Sequence, residues 1–199
     1  MGITIAITNF THDNLDRLTE ADYLVGTLTE DEVFTMDDLG NRSNVNLRSG
    51  SDEVYDVNDL TNRYASVGGN NCTYDAAGNL TVDNNGYQYT YDYENRIIEI
   101  KDSGDTTVAQ FAYDALGRRV KKIDSIASET TYYYYNDQWQ VLTEQRSSES
   151  YPRSYVYGNY IDEVLLMRKF NGLSSAVPYY YVHDHLYSPA AAMALGAVV

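Results

Sequence analysis

The residues able to do chemistry are few, and each stands in a thin constellation. His183-Asp184-His185 is the one histidine pair, and its i, i+2 spacing would put both rings on one face of a strand. A zinc centre needs at least one further ligand, and neither a third nearby His nor a Cys offers it. Cys72 is the single cysteine, so it forms no internal disulfide and no CxxC site. It reads as a buried structural thiol rather than a nucleophile. Asp13-Asn14-Leu15-Asp16 lacks the remaining ligands of a calcium loop. With 29 acidic residues some close carboxylate pair is expected, so a glycosidase-like pair would carry little weight. A Gly-x-Ser-x-Gly elbow, a phosphate-cradling loop and a dinucleotide fingerprint are absent. No catalytic residue, metal site or cofactor is expected, and the chain reads as a non-enzyme.

What does recur is a short turn signature. Six Asp-led hexapeptides begin at Asp13, Asp37, Asp59, Asp75, Asp92 and Asp114. They are spaced roughly twenty residues apart, the mark of a chain built from small repeated units. Three residues after each Asp stand Asp16, Gly40, Asn62, Gly78, Asn95 and Gly117. These types tolerate positive φ, so the slot predicts a left-handed turn position. The leading Asp can bond backbone N–H groups two residues on and fix the turn. Arg or Asn follows at 17, 41, 63, 79, 96 and 118.

Residues one and three before the Asp share a face of a strand: Tyr74 with Cys72, Tyr91 with Tyr89, Tyr113 with Phe111, His12 with Phe10, Met36 with Phe34. Only the third copy, with Asn58 and Asp56, breaks the apolar tendency. Each unit therefore reads as a β-hairpin with one aromatic face. A lone hairpin is marginal in water, so the units must pair into a larger sheet, with Tyr74, Tyr91 and Tyr113 on one face.

The elements Tyr74-Asp75-Ala76-Ala77-Gly78-Asn79-Leu80, Tyr91-Asp92-Tyr93-Glu94-Asn95-Arg96-Ile97 and Tyr113-Asp114-Ala115-Leu116-Gly117-Arg118-Arg119 resemble the Tyr-Asp repeats of the Rhs/YD-repeat family. Downstream, Tyr134-Tyr135-Asn136-Asp137-Gln138-Trp139-Gln140-Val141-Leu142 and Tyr180-Tyr181-Val182-His183-Asp184-His185-Leu186-Tyr187-Ser188-Pro189 are similar to the stretch leading into the Rhs-associated core. The resemblance covers 10 to 189, and Tyr187 stands where that last motif more usually has glycine. It implies an all-β fold of repeated antiparallel hairpins in a curved sheet, a segment of a β-shell. In Rhs, toxin-complex and teneurin proteins many such repeats spiral into a hollow cage, which in bacterial examples encloses a toxic C-terminal polypeptide.

The implied function is that of a structural segment packing with further repeats, or around an encapsulated polypeptide. The family context points to a secreted or cell-surface setting through a specialised export route. Only six clear repeats are present, and neither a self-cleavage aspartate motif nor a toxin domain follows. The chain thus reads as a piece of such a shell. Two alternatives stand beside this: a cell-surface module binding carbohydrate on exposed Tyr and Trp139, and a relic fragment without activity.

The chain divides into a lead-in strand at 1–9, the repeat array at 10–131, degenerate repeats at 132–189 and an apolar tail at 190–199. Loops are expected at Ser49-Gly50-Ser51 and Gly68-Gly69-Asn70-Asn71, and a short turn after Pro189. Later strands are expected at 131–135, 140–145, 154–157, 164–170 and 177–182, with turns at Asn136-Asp137, Gly158-Asn159 and Asn171-Gly172. The 21 Tyr against 4 Phe suit strands whose rings are covered while their hydroxyls stay hydrogen-bonded.

A formal charge of −15 argues against nucleic acid and against anionic membrane surfaces, and reads as keeping an edge-rich β protein soluble. The start carries no signal-peptide pattern, and the apolar tail is too short to span a bilayer, so no membrane insertion is expected. Open sheet edges invite self-association.

Overall fold

The computed structural model describes residues 5–25, 28–47, 52–160, 162–184, 188–194 and 197–198. Every regular element among them is a strand. The strands lie in antiparallel sheets whose neighbours follow chain order, and neither sheet closes into a barrel. The chain forms two compact units, Met1–Tyr89 and Thr90–Val199.

In the first unit β1 (Ile5–His12), β2 (Leu18–Val25), β3 (Leu28–Met36), β4 (Arg42–Asn46), β5 (Asp52–Asn58), β6 (Arg63–Val67) and β7 (Asn70–Asn71) form one seven-stranded meander. The expected lead-in is thus the first arm of the first hairpin. The short β8 (Thr73–Tyr74) and β9 (Leu80–Val82) follow, and β10 (Gln88–Tyr91) pairs Gln88 with Val82.

The second unit is a further meander: β11 (Ile97–Lys101), β12 (Thr107–Tyr113), β13 (Arg119–Asp124), β14 (Glu129–Tyr135), β15 (Val141–Arg146), β16 (Arg153–Tyr157), β17 (Val164–Phe170), β18 (Ala176–His183), β19 (Pro189–Ala194) and β20 (Ala197–Val198). The five later strands expected from the sequence are all present. After Pro189, however, the chain forms β19 rather than a turn, because His183 to Tyr179 offer it a partner strand. Ser49-Gly50-Ser51, His185 and Tyr187 lie outside the described residues.

Strand alternation sorts the side chains of the second unit. Register places Thr131, Tyr133, Glu144, Arg146, Arg153, Tyr155, Met167, Lys169 and Tyr179 on one face, all buried or half-buried. The other face carries exposed Tyr132, Tyr134, Val156 and Tyr180. Among the described residues the buried set is small: Ala21, Val45 and Val67 among apolar residues, Thr131 and Glu144 among polar ones. Among the described residues no large side chain is fully buried. Hydrophobic burial therefore contributes less here than in a two-layer domain of this length, and polar ties between strands carry a larger share.

Four tyrosines that directly precede a turn make such ties. The hydroxyl of Tyr113 donates to the Ile97 carbonyl at 2.8 Å, that of Tyr135 to Arg119 at 2.8 Å, and that of Tyr157 to Val141 at 3.0 Å. In the first unit Tyr74 donates to the Tyr64 carbonyl at 2.9 Å. In each case the acceptor directly follows the turn of the preceding repeat. Phenylalanine would cover the same surface and leave that carbonyl without its donor, which accounts for Tyr over Phe. Tyr113→Phe should lower stability by ~1 kcal/mol, whereas Tyr93→Phe, with its ring in solvent, should leave the urea midpoint unchanged.

Candidate functional site: a ladder of Asp-led turns

Eight turns share one hydrogen-bonded loop. At Asp13, Asp37, Asp75, Asp83, Asp92, Asp102, Asp114 and Asn136 the backbone N–H donates to the carbonyl four residues on, at 2.8–3.0 Å. The N–H three residues on returns to the leading carbonyl. The side-chain Oδ1 accepts the N–H of the fourth residue at 2.7–3.0 Å. This is a three-residue hairpin loop, a tight turn followed by one left-handed residue. All six residues assigned to that slot have positive φ: Asp16 58°, Gly40 87°, Asn62 51°, Gly78 92°, Asn95 61° and Gly117 84°.

The third copy needs a correction. Its loop is led by Asn58, not Asp59: Leu60 donates to Asn58 Oδ1 at 3.0 Å, and the Asn62 N–H reaches the Asn58 carbonyl at 2.8 Å. Asn58 pairs with Arg63, so this loop holds one residue more than the others. With Asn58 leading, the residues one and three before it are Val57 and Tyr55, both half-buried, and the apparent break in the apolar pattern disappears.

The turns at Asp83, Asp102 and Asn136 escaped the hexapeptide pattern because no Arg or Asn follows their left-handed residues Gly86, Asp105 and Trp139. Trp139 takes φ 67°, a costly conformation for a bulky side chain, and Arg118 stands 6.0 Å from its ring centroid.

The second carboxylate oxygen links repeats. Nε of Arg17, Arg96 and Arg118 donates at 2.7 Å to Oδ2 of Asp13, Asp92 and Asp114. Asn41 and Asn79 do the same with their amides at 2.8 and 2.9 Å. So held, each guanidinium leans on the next repeat. Arg17 Nη1 reaches the Asp37 carbonyl at 3.2 Å and Arg118 Nη1 the Asn136 carbonyl at 3.1 Å. Arg63, Arg96 and Arg118 lie over Tyr74, Tyr113 and Tyr135 at 5.4, 4.7 and 5.3 Å. Tyr91 closes β10 directly before Asp92.

These bonds favour ionised turn carboxylates. Asp13 is held below the usual Asp range chiefly by the Arg17 backbone N–H, and Asp37 and Asp75 chiefly by the amides of Asn41 and Asn79. At Asp92 and Asp114 desolvation acts upward, and the bonds from Arg96 and Arg118 outweigh it.

A second ionic group lies on the covered face of the second unit. Glu144 is buried, takes the Tyr155 hydroxyl at 2.9 Å and pairs with Arg146. Glu149 pairs with Arg153 and with Lys169 Nζ at 3.0 Å. Desolvation, with Glu144 beside it, pushes the Tyr155 phenol up. The Arg153 bonds, opposed by burial and aided by Lys169, pull Glu149 from the usual 4.5 to about 2. No motif announces this group, since only register brings β15, β16 and β17 together.

For metals, the carboxylates of Glu20, Asp22 and Asp31 lie within 4.8 Å of one another on β2 and β3. All three are half-buried or exposed, and nothing besides their charge marks a ligand. Cys72 is half-buried rather than buried, and desolvation pushes its thiol up, away from the thiolate a nucleophile needs. The Ser188 N–H donates to Asp184 Oδ1 at 3.0 Å. Among the described residues no helix is long and apolar enough to cross a membrane.

Residues 91–130, spanning the Asp92 and Asp114 turns, match the RHS Repeat family. The crystal structure of TcdB2–TccC3 without its hypervariable C-terminal region aligns with a TM-score of 0.51 at 12% identity, over 92% of this chain and 12% of that one. TcdB2–TccC3–Cdc42 aligns with a TM-score of 0.50 at the same identity and coverage. This chain thus spans about an eighth of the length of these structures, and at this identity the likeness is one of fold. No curated protein matches by sequence.

Two outcomes test the ladder. Gly78→Val forces a β-branched residue to φ 92° and drives its Cβ into the Arg63 guanidinium, so it should destabilise by ~1–2 kcal/mol or more in urea unfolding. For Glu149 the folded pKa lies below the unfolded one, so its stabilisation is full above pH 4.5 and lost as pH falls toward about 2. Glu149→Gln should therefore be less stable than the parent at pH 7, with the gap closing across that window.

Proposed function

We propose that this RHS-repeat chain is a non-enzymatic wall segment, which packs side by side with further repeats to enclose or present another polypeptide. The observation that carries this reading is the repeat-to-repeat tie of Arg and Tyr, a scaffold device whose residues are committed to turns and neighbours rather than to a substrate. Open sheets and a small buried set support it, because such sheets gain stability when further surfaces cover them.

A carbohydrate-binding role is the second reading. It rests on a cleft of about 370 Å³ lined by Gln138, Gln140, Asn159, Tyr160 and Asp162, near exposed Trp139. Planar amides and a carboxylate beside an aromatic ring suit sugar hydroxyls.

The purified chain should self-associate with rising concentration or bind RHS-repeat segments supplied in trans. Phe10→Lys on β1, which among the described residues pairs on one side only, should weaken that association. Analytical ultracentrifugation giving a monomer at every concentration, together with no binding to such segments, would reject the wall reading. A glycan-array signal lost in Tyr160→Ala would favour the second.

A further inference from the structure

The ladder has one guanidinium without its carboxylate. Arg17, Arg96 and Arg118 each receive an Asp oxygen at Nε. At the equivalent place beside Arg63 the loop is led by Asn58, a neutral amide. Among the described residues the Arg63 side chain makes no ion pair and no hydrogen bond; its neighbours are the Tyr74 ring at 5.4 Å and Gly78. It is half-buried and lines a cleft of about 420 Å³ with Asn58, Thr61, Asn71, Thr73 and Tyr74. Tyr64, Ala65 and Cys72 add apolar surface to the cleft wall.

We propose that the Arg63 cleft binds a carboxylate group supplied from outside the chain, in the place that Asp13, Asp92 and Asp114 fill in their own repeats. A guanidinium fork matches the two oxygens of a carboxylate, and partial burial strengthens that pairing over one in open water. The Asn58, Asn71, Thr61 and Thr73 side chains offer further donors on the cleft wall. Tyr74 covers one side of the guanidinium and Gly78 lies against it, which holds the group at the cleft wall. A monoanion is favoured over a dianion such as phosphate, because the acidic chain repels the second charge. The carboxylate could belong to a free organic acid or to an acidic peptide side chain, which share this chemistry.

The test is titration of the folded chain with sodium acetate against sodium chloride at matched ionic strength. The readout is the Arg63 Nε–Hε NMR signal, assigned by its loss in Arg63→Gln. A saturable shift with acetate is expected, with a dissociation constant on the order of 10 mM. Asn58→Asp, which keeps the turn acceptor and adds the missing internal carboxylate, should weaken acetate binding about tenfold with the thermal melt retained. A blocked aspartate amide, run in parallel, distinguishes the sources: tighter binding than acetate identifies a polypeptide ligand, and equal binding a free acid. No saturable shift, undiminished acetate binding in Asn58→Asp, or tighter binding of phosphate would overturn the proposal.

Discussion

The structure hangs on one carboxylate whose two oxygens do different work. Oδ1 of each leading Asp gathers loop N–H groups and so fixes a hairpin. Oδ2 orients an Arg or Asn, and an Arg so held leans across to the next turn. Local folding and inter-repeat packing are therefore coupled through a single side chain. Losing the carboxylate loosens the loop and frees the arm that holds its neighbour. That coupling lets hairpins that would be marginal alone support one another within each unit.

The same coupling explains how sheets with so small a buried set hold together. The covered face of the second unit is not a greasy interior; it carries Glu144, Arg146, Glu149, Arg153 and Lys169 among tyrosines. Buried charges stabilise only when paired and bonded, and here the acids have cations and Glu144 also has a phenol. Tyrosine is the economical residue for such a wall. Its ring covers neighbouring strands while its hydroxyl closes a backbone carbonyl that would otherwise lack a donor.

Much of this was legible in the residues because turn chemistry is local. Asp, the left-handed residue and the following Arg or Asn sit within five positions, and their steric needs show in their types. Asn62 shows where counting falls short. Fixed spacing from the commoner Asp pointed to Asp59, while the half-buried pair Val57 and Tyr55 pointed correctly to Asn58. Side-chain periodicity survives a one-residue loop insertion, and a motif template does not. The Glu144 and Glu149 group was illegible for the opposite reason. Apart from Glu149 in the loop between β15 and β16, its members lie on three strands that only pairing register aligns. The strand after Pro189 likewise depended on a partner, β18, rather than on its own alanines.

In a repeat array the informative positions are those where the pattern lapses. A residue that satisfies the repeat is accounted for by the repeat, whereas a departure needs its own cause. Trp139 stands in a left-handed slot that Gly, Asn or Asp fills in the other ladder turns, and the strain is offset in part by its ring against Arg118. Asn58 departs in the other direction: it keeps the turn and withdraws the charge, leaving Arg63 as the member of the ladder with an unmet electrostatic demand. Asn58 holds the turn without offering Arg63 an anion, so the guanidinium beside Tyr74 at a cleft wall is a departure that the turn itself does not explain.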